Sequence, residues 1–301
     1  MNREGQSTEH IPARLWGILA GLTFAWGFNW TAMKLALTEV SPFTFRSLCL
    51  SVGAAVLFAA MRAGGHRLAV PRAHWPRLIM LSVVSITAWN LLVAFGVAQI
   101  PSGRAAILAY TMPAWAIPLS IWLLGERMTG RKLAGLALGM AGLLLLLGEG
   151  IRNLGAAPVG SLLVLCAAVC WAFATVLQKR YPVDVAPGVY TAWIMLIGGV
   201  PIFLGTLLFD DLSALAQVSP VGWFGVLYNV LVAFAWAHWA WIKLATSLSV
   251  TAFSLSMLLT PMVGVLSGVL FLGERPTALE VTAFVLVMAS LLTVVIPGRK
   301  A

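Results

Sequence analysis

The sequence predicts an all-α, polytopic membrane protein with ten transmembrane helices arranged as two inverted five-helix repeats. Three observations predict it. Of 301 residues, 60% are hydrophobic and only 10% are charged, against about 25% charged in soluble domains. The apolar residues fall into ten runs of spanning length. The pattern Leu-Gly-Glu-Arg-x-Thr occurs twice, at Leu124–Thr129 and Leu272–Thr277, 148 residues apart.

A bilayer-spanning helix needs about 20 mostly apolar residues. The runs 14–34, 43–61, 77–98, 103–124, 131–148, 159–178, 188–209, 221–243, 250–272 and 278–296 meet that requirement. Residues 1–13 then form an N-terminal tail, 14–148 the first repeat, 149–158 a connecting loop, 159–296 the second repeat and 297–301 a C-terminal tail. The loops leave no room for a soluble domain, and Met1–Pro12 shows no cleavable signal pattern. The duplication runs beyond the hexapeptide. At offset 148 Pro113 answers Pro261, and Met140-Ala141 answers Met288-Ala289. Earlier in the chain the offset is 145, pairing Trp26 with Trp171, Phe28 with Phe173, Lys34 with Lys179, Pro42 with Pro187 and Gly53 with Gly198. The slip of three residues fits a longer connection near Phe209–Val218.

Lys and Arg set the orientation, because they collect on the cytoplasmic side. With the N-terminus inside, 14 of them lie in inside loops and tails and 5 outside. Both termini are therefore expected in the cytoplasm. Five spans per repeat is an odd number, so the second copy enters the membrane upside down. Glu126 and Glu274 then mark corners on opposite sides. Inverted repeats let one structural unit adopt two conformations, which is the architecture of alternating access.

The net charge of +9 comes from short clusters between apolar runs, such as Arg62–Arg77, rather than from a helical face. Nucleic acid is therefore not an expected partner; the lipid bilayer is. Cys49, Cys166 and Cys170 all fall within apolar runs and read as buried small hydrophobes. No metal ligand set and no cofactor is expected. The glycine- and alanine-rich stretch Gly135–Gly142 reads as close helix packing.

Two five-span copies, each with a fourth span ending in Gly-Glu-x-x-Thr before a Gly/Ala-rich fifth, resemble the EamA-type units of the drug/metabolite transporter superfamily. Gly125-Glu126 with Gly139-x-x-Gly142, and Gly273-Glu274 in the second copy, carry the resemblance. The second copy departs from it at Ala289-Ser290, where the first has Ala141-Gly142. Within that superfamily the many tryptophans and the run Ala25–Trp30 resemble YddG-type amino-acid exporters. The resemblance implies a carrier of the bacterial inner membrane that exports amino acids, aromatic and other neutral ones. A multidrug, organic-cation or nucleobase carrier of the same superfamily is the alternative. The carrier is expected to work as a monomer on a small-molecule substrate.

Transporter sites lie near the bilayer midplane. Trp26, Asn29, Trp30 and Met33 share one face of the first span, and Trp171, Thr175 and Gln178 the matching face of the sixth. An indole N–H at that depth needs a partner or a cavity. Asn90 and His238 correspond at offset 148; each is either a substrate contact or an interhelical tie. Tyr110 lies one turn from Pro113. The candidate substrate-binding set is thus Trp26, Asn29, Trp30, Asn90, Tyr110, Trp171, Thr175 and His238. Pro113 and Pro261 each remove a backbone donor mid-span, freeing the carbonyls of Ala109 and Met257, and are candidate hinges.

All ten acidic residues are placed in tails or near a membrane face. Proton- and sodium-driven carriers usually hold a carboxylate at depth, so the expectation is flux down a solute gradient, or weak proton coupling through His238. No Gly-x-x-x-x-Gly-Lys-Ser/Thr loop occurs, which excludes a nucleotide-driven pump. A membrane enzyme would need a nucleophile–base pair or metal ligands, and the four histidines are scattered. A channel would need a continuous polar stripe. A receptor or scaffold is the rival that the sequence opposes least.

Overall fold

A computed structural model describes residues 13–152, 158–245 and 259–295. The regular elements among the described residues are all helices, with no strand. The helices are α1 (Ala13–Leu37), α2 (Pro42–Ala63), α3 (Arg72–Gln99), α4 (Ser102–Leu124), α5 (Gly130–Arg152), α6 (Pro158–Arg180) and α7 (Pro187–Phe209). After a short 3-10 turn, Leu212–Gln217, comes α8, built from Pro220–Leu227, Tyr228–Trp236 and Ala237–Ala245 in succession. Next come α9 (Leu259–Leu272) and α10 (Ala278–Val295). Among the described residues six helices, α2, α3, α4, α6, α7 and α8, are long and apolar enough to cross a membrane. The start of the expected ninth span, residues 250–258, and Met257 with it, lie outside the described residues.

Local chemistry fixes the helix ends. Ser41 accepts the N–H of Thr44 and is followed by Pro42; Ser219 accepts the N–H of Gly222 and is followed by Pro220. A serine cap satisfies a donor the helix cannot, and proline in the first turn needs none. Gly125 and Gly273 take φ of 67° and 65°, closing α4 and α9 in the left-handed conformation that costs other residues energy. That conformation explains the glycine of the repeated hexapeptide.

The loops gather at two ends. At one, Lys34 donates to the carbonyls of Val97, Ala98 and Ile100 at 2.9–3.0 Å. There also Glu39 accepts the N–H and hydroxyl of Ser219, and Asp210 holds Ser41 and Thr44. Glu274 belongs to this end. At the other, Arg180 donates to the Leu123 carbonyl beside Glu126. The described acidic residues Glu39, Glu126, Glu149, Asp184, Asp210, Asp211, Glu274 and Glu280 all sit near helix ends or in loops.

Helix packing follows the numbering of the repeat. α2 packs on α7, α5 on α10 and α4 on α9, each pair occupying the same place in the two halves. The α1–α9 contact is matched by α6–α4, α1–α8 by α6–α3, and α2–α8 by α7–α3. Gly135 and Gly142 of α5 permit the α10 contact: a Cβ at either would lie 2.3 Å from the Thr293 hydroxyl or 3.0 Å from the Ala283 carbonyl.

The cysteine expectation needs a correction. Cys49 is buried, but Cys166 is exposed and Cys170 half-buried. An apolar run in a membrane helix faces lipid as readily as protein, so hydrophobicity alone does not assign burial.

Candidate functional site

Two features of the backbone build the site. The first is in the third helix of each half. Val83–Ala88 in α3 and Tyr228–Trp236 in α8 are wound as π-helix. At offset 148 the first maps onto 231–236, inside the second. A π segment widens the helix and loosens its carbonyls, and such segments concentrate at functional positions. Asn90 and His238 stand just beyond them and use side-chain nitrogens on their own helices. Asn90 Nδ2 donates to the Ile86 carbonyl at 2.9 Å, and His238 Nδ1 lies 3.2 Å from the Ala233 carbonyl. Asn90 is buried; His238 is half-buried.

The second feature is a break in α4 at Tyr110–Thr111, which separates Ser102–Ala109 from Met112–Leu124. Pro113 stands in the first turn after the break, where its missing N–H leaves no bond unmade. Tyr110 is half-buried at the break.

Around α8 the expected residues come together. Trp26 Nε1 donates to the Ala233 carbonyl at 3.1 Å, so the indole and the imidazole meet at one carbonyl of the π segment. The Trp26 ring lies 5.8 Å from His238 and 5.1 Å from Trp241, and Phe234 is 5.4 Å from His238. Trp30 is buried, and its ring packs where α9 passes at Gly264. Asn29 is half-buried, and its Oδ1 is buried with no hydrogen-bond partner. In the other half, Trp171 packs on Trp89 at 4.9 Å and is 41% exposed. The two tryptophans matched by the repeat thus occupy different environments.

A cavity of about 370 Å³ lies at the Glu126 end, between α4, α5, α6 and α10. Pro113, Ser120, Glu126, Lys132, Thr175 and Lys179 are among the residues lining it. Lys179 and Thr129 are exposed at its mouth. Thr175 bonds the Trp171 carbonyl, so Trp171 lies one turn further in on the same helix face. Glu126 takes Lys179 on Oε1 at 2.6 Å and Lys132 on Oε2 at 2.8 Å. These bonds, to Lys132 first and then Lys179, hold its carboxyl at about 2, well below the usual carboxylate range.

The matching corner at the other end is shut. Glu274 reaches across to the first turn of α4 and accepts the N–H groups of Ser102 at 2.6 Å and Gly103 at 2.9 Å. An anion at a helix N-terminus is well placed for both the free donors and the dipole. Only about 80 Å³ of space remains there, beside Pro101, Ile107 and Val265. Pro261 is buried in α9.

The expected set therefore divides. Trp26 and His238 meet at α8, while Pro113 and Thr175 line the cavity at the Glu126 end. Sequence reasoning missed the π segments, Trp89, Trp241 and the roles of Glu126, Lys132 and Lys179. The matched pairs Lys34/Lys179 and Glu126/Glu274 were the signal available.

Comparison with known proteins decides the class. The chain matches the EamA-like transporter family over residues 13–148 and again over 158–296. It belongs to that family. As a family member with these apolar helices it is a multi-pass membrane transporter within the drug/metabolite transporter superfamily. It is 27% identical to the uncharacterized transporter YoaV of Bacillus subtilis, over 87% of this chain and 89% of that protein. It is also 27% identical to a probable amino-acid metabolite efflux pump of Escherichia coli, over 91% and 93%. The uncharacterized inner membrane transporter YedA of Escherichia coli is 26% identical over 95% and 93%. One crystal structure superposes at a TM-score of 0.65 and 24% identity, covering 93% of this chain and 96% of its own, which supports the fold.

Proposed function

We propose that this transporter exports neutral amino acids, aromatic ones included, across the bacterial cytoplasmic membrane by alternating access. The observation that carries the reading is the contrast between its two corners. A cavity of about 370 Å³, within the usual range for small-molecule sites, lies at Glu126, and about 80 Å³ remains at Glu274. Two back-to-back family matches and the exchange pattern in the helix packing support ten spans in two inverted repeats. Cations favour the Glu126 end, where Arg62, Arg127, Arg131, Lys132, Lys179 and Arg180 lie, which supports a cytoplasmic position for that end and, with ten spans, for both termini.

The substrate class rests on the aromatic cluster at α8, which is separate from the lining of the cavity. Trp26, Phe234, His238 and Trp241 offer aromatic faces to an ammonium or a side chain, and a zwitterion brings no net charge to neutralise. The amino-acid metabolite efflux pump among the relatives is consistent with this substrate. Purified protein in liposomes, loaded with a radiolabelled panel of amino acids, nucleobases and organic cations, tests it. Amino-acid efflux without any proton or sodium gradient is the expected result. Flux restricted to nucleobases or organic cations would assign another substrate class, and amino-acid flux that strictly requires an ion gradient would overturn the energetic reading.

A further inference from the structure

Arg46 reads in the sequence as a topological cation near the outer face. The structure places it elsewhere. It is one turn into α2 and only 3% exposed. Its Nη2 has the Met33 thioether at 2.7 Å, a weak acceptor, and its Nε is buried with no partner. The guanidinium lies 5.0 Å from the Phe45 ring and 5.9 Å from the Phe234 ring. Among the described residues no carboxylate lies within ion-pair distance of it.

A guanidinium has five N–H donors and stays charged. Burying it without an anion costs several kcal/mol, and removing even one partner from a buried pair is strongly destabilising. An anchoring arginine avoids this by extending its head to water or headgroups, which Arg46 does not do. The duplication does not require it either. At offset 145 the second copy has Thr191, which bonds its own helix at the Pro187 carbonyl. A charge kept in one half only, against the cost of its burial, marks a site.

We infer that Arg46 is the fixed cation of a carboxylate subsite between α1, α2 and α8. This rests on the amino-acid transport reading and names the group that binds the substrate's carboxylate. Its contacts point to that place. Met33 shares the face of α1 that carries Trp26, Asn29 and Trp30. Phe234 belongs to the π segment, next to the Ala233 carbonyl that Trp26 and His238 share. A single guanidinium presents a two-donor edge that matches one carboxylate. Aromatic rings beside it suit an ammonium or an apolar side chain, so the ligand is a monocarboxylate and an amino acid supplies it. The carboxylate replaces the Met33 sulfur and engages the orphaned Nε.

The test is binding to the full-length protein in lipid nanodiscs, using three probes: phenylalanine, phenylalaninamide and 3-phenylpropanoate. The amide lacks the carboxylate and the propanoate lacks the ammonium. Arg46→Met should fold with thermal stability at or above wild type, because an apolar side chain of similar length removes an unpaired charge. It should weaken phenylalanine binding about tenfold or more, as loss of a charge-assisted contact does, and leave phenylalaninamide unchanged. Arg46→Lys, which keeps the charge but loses the fork, should fall between. Equal loss for all three probes, or a destabilised Arg46→Met, would make Arg46 a packing residue and overturn the subsite. Undiminished phenylalanine binding and export in Arg46→Met would overturn it too, with the transport reading intact. If wild type exports no amino acid yet binds 3-phenylpropanoate through Arg46, the subsite stands and the substrate reading falls.

Discussion

Glu126→Gln isolates the charge that lines the cavity mouth. In the native protein one carboxylate is shared by two lysines, at 2.6 and 2.8 Å, one on each oxygen. Its side chain is 28% exposed, so water screens both pairs. Pairs of this kind contribute about 0.2–1 kcal/mol each, and the two together about 1 kcal/mol, less than the displaced acidity alone would imply. The sign with pH follows from the direction of the shift. The folded carboxyl titrates at about 2 rather than at the ordinary 4.5. Its stabilisation is therefore complete above about 4.5 and is lost as pH falls toward 2. Glutamine carries no charge at any pH, so wild type minus variant reports this group alone. Thermal unfolding in detergent, followed by tryptophan fluorescence from pH 7 to pH 3, should show wild type ahead at neutral pH and the gap narrowing in acid. A gap that is absent, or constant with pH, would refute the reasoning.

Three more outcomes are expected. Gly268→Ala would put a Cβ 2.4 Å from a Glu274 oxygen; this variant and Glu274→Gln should both raise maleimide labelling of a cysteine at Ile107, which is buried in the closed corner. Unchanged labelling in both would deny Glu274 a part in closure. Trp26→Phe removes the donor to the Ala233 carbonyl and should cost about 1 kcal/mol of stability while slowing phenylalanine flux severalfold; normal flux would leave Trp26 a packing role only. Single cysteines at Arg127 and Arg275 in a cysteine-free background should label from opposite sides of the membrane, and labelling from one side would contradict the inverted arrangement.

Much of the frame was legible in the sequence because a bilayer imposes length and hydropathy on each span. The expected run 188–209 became Pro187–Phe209, and 43–61 became Pro42–Ala63. The two corners were marked by the repeated hexapeptide, though not the left-handed backbone of Gly125 and Gly273, and Pro113 marked the break in α4. The site was less legible. A π segment differs from α-helix by one hydrogen-bond step and leaves no compositional mark, so Val83–Ala88 and Tyr228–Trp236 gave no warning. Trp26 and Trp171 correspond in the repeat yet differ in exposure. Glu126 and Glu274 are identical in local sequence, but one meets two lysines and the other a helix N-terminus 172 residues away. Arg46, near the outer end of the expected span 43–61, counted only as a topological cation because its sequence neighbours do not reveal that its head is buried.

Counterflow tests the central claim most directly, because a carrier must present one site to either side in turn. Liposomes holding the purified protein and a high concentration of unlabelled phenylalanine are diluted into a trace of labelled phenylalanine, with no ion gradient. The account predicts a transient accumulation of label above equilibrium that disappears when the internal amino acid is omitted. Label that only equilibrates, at a rate indifferent to the internal amino acid, would contradict it.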